Sequence, residues 1–251
     1  MRLFLHELRG QLRLYWRSRE LAFFTFALPI IMFFLLGSVY GNDRIKAEHN
    51  VRGADYLLAG MLGYGAIATG FAGLSIMLVI RRESGILKRV RATPLPAGTY
   101  VAALLATTML AYALEAVVMI VVGRIAFGTH IRHAVSLAAV LLLGIAAFTA
   151  LGLALTTAIK SAEGSSAVVN AIYLPASFIS GAFFSSHSFP SFLRAIADVL
   201  PLVYLIRLVR DVMLGGVEVW NRPGAVAVVV AWGAVGAMIA ARRFRWEPRE
   251  G

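Results

Sequence analysis

Glu115 is the residue whose type and setting most suggest chemistry, because it is the only acidic residue well inside a long apolar run of this 251-residue sequence. A carboxylate at membrane depth is costly unless it is protonated, paired or in contact with water, so it is a functional candidate by default. It could contact a cationic substrate or carry a proton. The structural alternatives are a hydrogen bond to a neighbouring helix and a position toward one end of a tilted helix.

Two histidines, His130 and His133, have an i, i+3 spacing that could hold a metal ion. Arg132 lies between them and no carboxylate is near them in the sequence, so we interpret both as solvated loop residues. The sequence contains no GxxxxGK[ST] phosphate-binding loop, no HExxH pattern and no GxSxG pattern. We therefore predict no catalytic, cofactor-binding or metal-binding residue in this chain.

The stretch from Arg81 to Pro96 is strongly basic, with five Lys or Arg residues in its first eleven positions. Apolar residues stand among these charges, namely Ile86, Leu87 and Val90. Positive charge beside apolar spans places a loop on the cytoplasmic side. Charge mixed with apolar anchors is typical of a docking surface. The stretch is thus predicted to be a cytoplasmic loop that contacts another protein.

The composition indicates a polytopic helical membrane protein. Hydrophobic residues make up 59% of the chain and charged residues 15%, well below the roughly 25% of soluble proteins. The net charge of +11 comes from basic residues that flank apolar runs, which favours lipid headgroups and not nucleic acid as its partner. Cysteine is absent, which excludes disulfides and thiolate metal sites.

Six apolar runs predict six transmembrane spans, each close to or above the ~20 residues that cross the bilayer core. The predicted spans cover roughly residues 21–40, 57–80, 100–123, 134–159, 165–183 and 223–241. Lys and Arg are more numerous in the segments on the side of the two ends of the chain. By the positive-inside rule, both termini are predicted to be cytoplasmic.

Two further segments are predicted to lie at the membrane without crossing it. Residues 3–19 interleave leucines and aromatic residues with arginines, which predicts an amphipathic helix in the inner interface; a basic, disordered tail is the alternative. Residues 184–216 are interrupted by Pro190 and Pro201 and end at Gly215–Gly216, which predicts two short helices that enter the outer leaflet. Pro29 and Pro175 are predicted to kink the first and fifth spans.

This layout resembles the permease subunits of ABC-2 type exporters, which include bacterial drug-resistance and polysaccharide-export permeases. The loop from Arg82 to Leu95 resembles the family's RE-x-G-T-L-x-x-L-R-x-T-P-L/M stretch, with Ile86 in place of the family's Thr. The fifth span resembles an N…P…F-[LI]-S-G-x-F/L-F pattern that here comprises Asn170 to Pro175, Phe178, Ser180, Gly181 and Phe184. A third stretch, l-P-l-x-Y…R…G, matches Leu200, Pro201, Leu202, Tyr204, Arg210 and Gly215.

The resemblance implies a single six-span ABC-2 domain over residues 1–251, with a type V exporter-like fold. Two such permeases pair with two ATPase subunits that hold ATP and Mg²⁺. The two permeases are either identical copies or paralogues. The loop at 81–96 would form the coupling helix that contacts the ATPase through Arg82, Glu83, Gly85, Leu87, Lys88 and Arg89. The substrate pathway would include Glu115, Asn170, Pro175 and Phe178.

The resulting expectation is an exporter subunit, not an enzyme, in the plasma (inner) membrane of a bacterium. It would move hydrophobic drugs or lipids with energy from the separate ATPase; a polysaccharide or glycolipid is the alternative substrate. A proton-coupled carrier that uses Glu115 is the rival from another class. Such a carrier normally has inverted repeats and several intramembrane ionisable groups, and the sequence has no convincing repeat. Membrane lipids are expected partners.

Overall fold

A computed structural model describes residues 2–17, 23–45, 51–183 and 189–244. Over these residues the chain is predominantly helical. The helices are α1 Arg2–Arg17, α2 Leu28–Tyr40, α3 Gly53–Glu83, α4 Ile86–Arg91, α5 Ala97–Phe127, α6 Ala134–Thr156, α7 Ala162–Ile179, α8 Ser191–Ala197, α9 Pro201–Met213 and α10 Pro223–Arg243. A π-helical turn, Phe23–Ala27, precedes α2, and a 3₁₀ turn, Val219–Asn221, precedes α10.

Four of these helices are long and apolar enough to cross a membrane, which confirms the prediction of an all-α membrane protein. They are α3 and α5 with 31 residues each, α6 with 23 and α10 with 21. The 13 residues of α2 span only about 20 Å at 1.5 Å per residue. Helix α7 has 18 residues and begins with the polar sequence Ala-Glu-Gly-Ser-Ser. The predicted count of six spans therefore stays a prediction.

A short β-pair is the exception to the all-α prediction among the described residues. Strand β1, Arg44–Ile45, pairs antiparallel with strand β2, Val51–Arg52, just before α3 begins. Two residues per strand are too few for hydrophobic alternation to mark them in the sequence. The pair joins the end of α2 to the start of α3.

Helix α3 lies at the centre of the fold, with most of its side chains buried against α2, α5, α6, α7 and α9. Its middle, Ile67–Gly73, is π-helical. Small residues let the neighbours approach closely. The Cβ that Gly152 of α6 lacks would lie 2.6 Å from the carbonyl oxygen of Gly70, and Ser75 Oγ donates to the carbonyls of Phe71 and Gly152. The small residues of α3 thus serve packing within the chain.

Helix α9 is held inside the protein, between α3, α6 and α10. Most of its residues are buried, and its Ile206 and Leu205 pack on Gly63 of α3 and Gly144 of α6. Both glycines lie ten residues from the start of their helices, about 15 Å along the axis. The middle of α9 therefore lies about 15 Å below that end of the bundle. Of the segment predicted at 184–216, residues 184–188 lie outside the described part.

The N-terminal helix α1 packs along α5. It buries Gln11 and Tyr15 and exposes Leu3, Leu14 and Trp16. Such a helix has one side on the protein and apolar side chains available for lipid. The predicted range was 3–19, and residues 18 and 19 lie outside the described part.

We predict that Gly152→Val destabilises the protein by about 1–3 kcal/mol, because the new side chain meets the backbone of α3 and not a flexible side chain. The matched control is Gly98→Val, since no heavy atom lies within 4 Å of a Cβ placed on Gly98. Thermal unfolding of the purified variants in detergent measures the difference. Equal unfolding temperatures for the two variants would contradict the close approach of α3 and α6.

Candidate functional site

The basic loop after α3 is built as a short helix between two turns. Helix α3 ends at Glu83, and Gly85 takes a left-handed conformation with φ of 72°, which lets the chain reverse into α4. After α4, Thr93 Oγ1 donates to the carbonyl of Val90 at 2.6 Å, and an extended Pro96 precedes α5. The loop therefore has a defined shape.

Arg82 fastens the start of this loop to the end of α6. Its side chain is buried, and its guanidinium donates to the carbonyl oxygens of Thr156 at 2.9 Å and Ile159 at 2.7 Å. These carbonyls lie at a helix C-terminus, where backbone acceptors lack intrahelical donors and the helix dipole is negative. A third contact, of 3.2 Å, joins Arg82 Nε to Glu83 Oε1. The bidentate geometry suits arginine and not lysine.

Leu87 holds α4 against the apolar interior of the protein. It is 1% exposed and belongs to a small apolar cluster with Leu74, Leu78, Tyr100 and Leu104. Because a helix presents different residues on its two faces, burial of Leu87 leaves Ile86, Lys88 and Arg89 exposed on the outer surface of α4. Glu83 and Gly85 are half-buried at its start.

The six predicted coupling residues differ in burial, and Glu83 and Gly85 are intermediate between the other two pairs. Lys88 and Arg89 face outward, where a partner can reach them, whereas Arg82 and Leu87 face the chain's own core. Arg82 and Leu87 are buried within this chain, and their role in coupling to an ATPase stays a prediction. Ile86 is not among these six residues, and it is the large apolar side chain that α4 exposes.

The third motif also makes a specific contact. Arg210 of α9 lies with its guanidinium carbon 3.5 Å from the centroid of the Tyr56 ring and donates to the carbonyl of Gly181 at 2.5 Å. It thereby joins α9 to the start of α3 and to the end of α7. Phe184, predicted as part of the fifth-span motif, lies outside the described residues.

A profile of the ABC-2 type transporter family matches residues 2–214 of the chain. The chain belongs to the ABC-2 type transporter family. It is also 25% identical over 224 residues to a Porphyra purpurea protein whose name describes it as a transport permease, ycf38; the match covers 88% of this chain and 76% of that protein. The chain is thus a membrane permease component and not itself an ATPase.

In this ABC-2 permease Glu115 lies in the core between α5 and α3. It is 2% exposed, and its Oε2 accepts a hydrogen bond of 2.8 Å from Thr69 Oγ1 in the π-helical part of α3. Gly65 leaves room for the carboxylate, since a Cβ there would lie 2.6 Å from Glu115 Oε1. This geometry matches the alternative of a hydrogen bond to a neighbouring span. A place for Glu115 in the substrate pathway stays a prediction.

The other predicted pathway residues lie on α7. Phe178 is 53% exposed and its ring packs against Phe183 at 5.3 Å between centroids. Pro175 is exposed, and Asn170 Nδ2 donates to Ser166 Oγ at 3.2 Å within the helix. The structure therefore places these three residues on α7, whereas Glu115 lies on α5.

At the opposite end of α3 from the basic loop, His133 has a partner that the sequence did not indicate. Its Nδ1 lies 2.9 Å from Glu218 Oε1, and its Nε2 lies 3.2 Å from the carbonyl oxygen of Gly216. Glu218 is far away in sequence, so no local pattern could have found it. Among the described residues no group of three possible metal ligands occurs. His49 and His187 lie outside that part of the chain.

We predict that Glu115→Gln keeps the fold, because an amide oxygen can still accept the hydrogen bond from Thr69. Glu115→Leu leaves the Thr69 hydroxyl without this acceptor and should cost about 1–3 kcal/mol. Thermal unfolding in detergent compares the two variants.

Transport assays of Glu115→Gln test the pathway role separately. If the variant lowers movement of cationic substrates more than that of neutral ones, Glu115 lies in the pathway; equal effects would remove it from the pathway.

Proposed function

We propose that this chain is the membrane subunit of an ATP-driven exporter in the bacterial plasma membrane, formed as one ABC-2 domain over residues 1–251. In this proposal the chain crosses the membrane six times, with α2 and α7 as the first and fifth spans and both termini in the cytoplasm. Helices α8 and α9 are the outer re-entrant helices. The burial of α9 among α3, α6 and α10 supports this placement, since backbone that enters a membrane must be covered by protein or water.

The observation that carries the proposal is the construction of the loop at 81–96. The loop exposes Ile86, Lys88 and Arg89 to a partner. Arg82 binds it to the end of α6, and Leu87 packs in the apolar cluster with Leu74 and Tyr100. A segment that is exposed on one side and fixed on the other can transmit a partner's displacement to the helices that hold it, because the segment itself does not deform. ABC-2 permeases normally pair with an ABC ATPase, which supplies the ATP and Mg²⁺ sites. We assign α4 as the coupling helix of that pair.

Movement of the ATPase would then act on two spans at once. A displacement of α4 pulls the end of α3 directly and the end of α6 through the guanidinium of Arg82. Since α3 and α6 are in backbone contact near Gly152, the two helices would move as one body. Rigid-body rocking of this kind is a common way to turn ligand-driven closure into motion elsewhere.

A second permease copy or paralogue completes the proposed transporter. Helices α2 and α7 leave wide apolar faces outside the chain's own core, with Phe34 and Leu35 on α2 and Ile172 and Phe178 on α7 exposed. Exposed apolar faces of this kind fit lipid or a second copy. Substrate would pass between two such copies. Hydrophobic drugs or lipids are the proposed substrates; a polysaccharide or glycolipid is the alternative.

We predict that charge reversal at the exposed face, Lys88→Glu with Arg89→Glu, lowers recovery of the ATPase with the permease by tenfold or more, since interface charges steer and fix partners. The measurement is co-purification from cells that co-express the permease with each candidate ABC ATPase of its own organism. Arg44→Glu, an exposed arginine at the other end of α3, is the control. Unchanged recovery with the double variant would refute the docking role of α4.

Arg82→Lys should separate binding from coupling. Lysine cannot hold both carbonyls in a fixed fork, so the ATPase should still co-purify while substrate-stimulated ATP hydrolysis falls roughly tenfold, equivalent to ~1.4 kcal/mol. The assay tests candidate drugs and lipids and thereby also identifies the substrate class. Normal substrate stimulation of ATP hydrolysis with Arg82→Lys would exclude a positioning role for Arg82. Transport by the permease without any ATPase would favour the proton-coupled carrier.

A further inference from the structure

A cluster of polar side chains joins the start of α6 to residues 214–222, the segment between α9 and α10. Glu218 lies in that segment, and both oxygens of its carboxylate have a partner on α6. His133 Nδ1 lies 2.9 Å from Glu218 Oε1, and Ser136 Oγ donates to Glu218 Oε2. His133 is the N-cap residue of α6, and Ser136 is the third residue of the helix. We call Glu218, His133 and Ser136 the Glu218 cluster.

The position of Glu218 suits an ionised carboxylate. The first turn of α6 contains no acidic residue of its own, and the side chain of His133 makes no capping hydrogen bond to the helix. A negative charge beside a helix N-terminus is stabilised by the helix dipole and by backbone N–H groups that lack intrahelical acceptors. Glu218 supplies this charge although it lies 82 residues from Ser136 along the chain. The cluster therefore holds two distant parts of the chain together.

Both nitrogens of the His133 ring face hydrogen-bond acceptors. Nδ1 faces the Glu218 carboxylate, and Nε2 lies 3.2 Å from the carbonyl oxygen of Gly216. A neutral imidazole carries one N–H, so it can donate to one of these acceptors and must turn a lone pair toward the other. An imidazolium carries two N–H groups and donates to both. The two contacts can therefore form together only when His133 is protonated.

Glu218 is the carboxylate that His133 faces. The other charged or titratable residues on the surrounding elements are Arg124 of α5, His130 and Arg132 of the loop before α6, Arg210 and Asp211 of α9, and Arg222 before α10. Asp211 and Arg222 pair with each other at 2.7 Å, and Arg124 and Arg210 donate to backbone carbonyls. His130 and Arg132 are exposed, so water and salt screen their charges. The side chains of His133 and Glu218 are 33% and 32% exposed, so the ring can exchange protons with solvent.

The segment held by the Glu218 cluster begins where the buried helix α9 ends. Its Val217 N donates to the carbonyl of Asp211 at 3.1 Å, which folds the start of the segment back on α9. Gly216 has a left-handed φ of 65°, a conformation that glycine adopts without strain. Asn221 N donates to the carbonyl of Glu218 at 3.0 Å, so the end of the segment is bound to Glu218 in turn. Loss of a contact in the cluster therefore acts on the whole connection from α9 to α10.

We propose that the Glu218 cluster is a pH-sensitive contact, which holds residues 214–222 on α6 while His133 is protonated and releases them as the pH rises. Below the range in which histidine changes charge, the imidazolium donates to both Glu218 and Gly216; above it, one of the two contacts is lost. The stabilisation from the cluster is thus present at low pH and lost at high pH. The inference uses only contacts within this chain and does not depend on the exporter assignment.

Spin labelling of the purified full-length chain tests the proposal, because the native sequence has no cysteine. A nitroxide label on Asn221→Cys, an exposed position in the segment, reports the mobility of the segment by electron paramagnetic resonance. We expect the ratio of mobile to immobile label to rise about fivefold between about pH 5 and about pH 8, the scale of one lost hydrogen bond. An unchanged ratio would overturn the proposal.

Two histidine variants of the labelled chain identify the group that titrates. His133→Gln should abolish the pH response of the label, since glutamine does not change charge in this range. His130→Gln is the matched control, because His130 is an exposed histidine of the same loop, and it should keep the native response. A response that survives in His133→Gln, or one that is lost equally in both variants, would overturn the proposal.

Glu218→Gln separates the protonation of His133 from the packing of the cluster, because the amide keeps the shape of the side chain. The amide oxygen can accept from Ser136 while the amide nitrogen donates to a neutral His133, whose remaining N–H donates to Gly216. We therefore expect the label in this variant to be as immobile at about pH 8 as the native label is at about pH 5. A label that is as mobile at the higher pH as in the native chain would contradict the proposal.

Discussion

The contact on which the proposed mechanism depends is the pair of hydrogen bonds from Arg82 to the carbonyls of Thr156 and Ile159. Both acceptors lie at or just beyond the end of α6, where they lack donors from their own helix. The guanidinium supplies those donors, and the acceptors in turn stabilise a buried charge. One residue thus joins the end of α3, the start of the basic loop and the end of α6 into one unit.

The packing of α3 extends this unit through the bundle. Its glycines and alanines allow α6 to approach to backbone contact, and Arg210 attaches α9 near the other end of the helix. The hydrogen bond from Thr69 to Glu115 links α3 to α5 at mid-length. A force applied to α4 would therefore act on a helix that is fixed to most of its neighbours, and not on an isolated segment.

The sequence predicted much of this arrangement because membrane spans and basic loops follow composition. Long apolar runs identified α3, α5, α6 and α10, and charges between them identified the loop. The orientation of individual side chains could not be predicted in the same way. Arg82 and Lys88 carry the same charge in the same motif, and only the position of α6 decides that Arg82 is buried. The contacts of Glu115 with Thr69 and of His133 with Glu218 join residues that are far apart in sequence.

The absence of cysteine allows the central claim, that the outer face of α4 contacts an ATPase, to be tested at single positions. Lys88→Cys carrying a photoactivatable crosslinker would be irradiated in membranes that contain the permease and the ABC ATPase that co-purifies with it. We predict a crosslinked permease–ATPase product from position 88 and none from Arg44→Cys at the opposite end of α3. Absence of the product at position 88, or equal yields at both positions, would contradict the account.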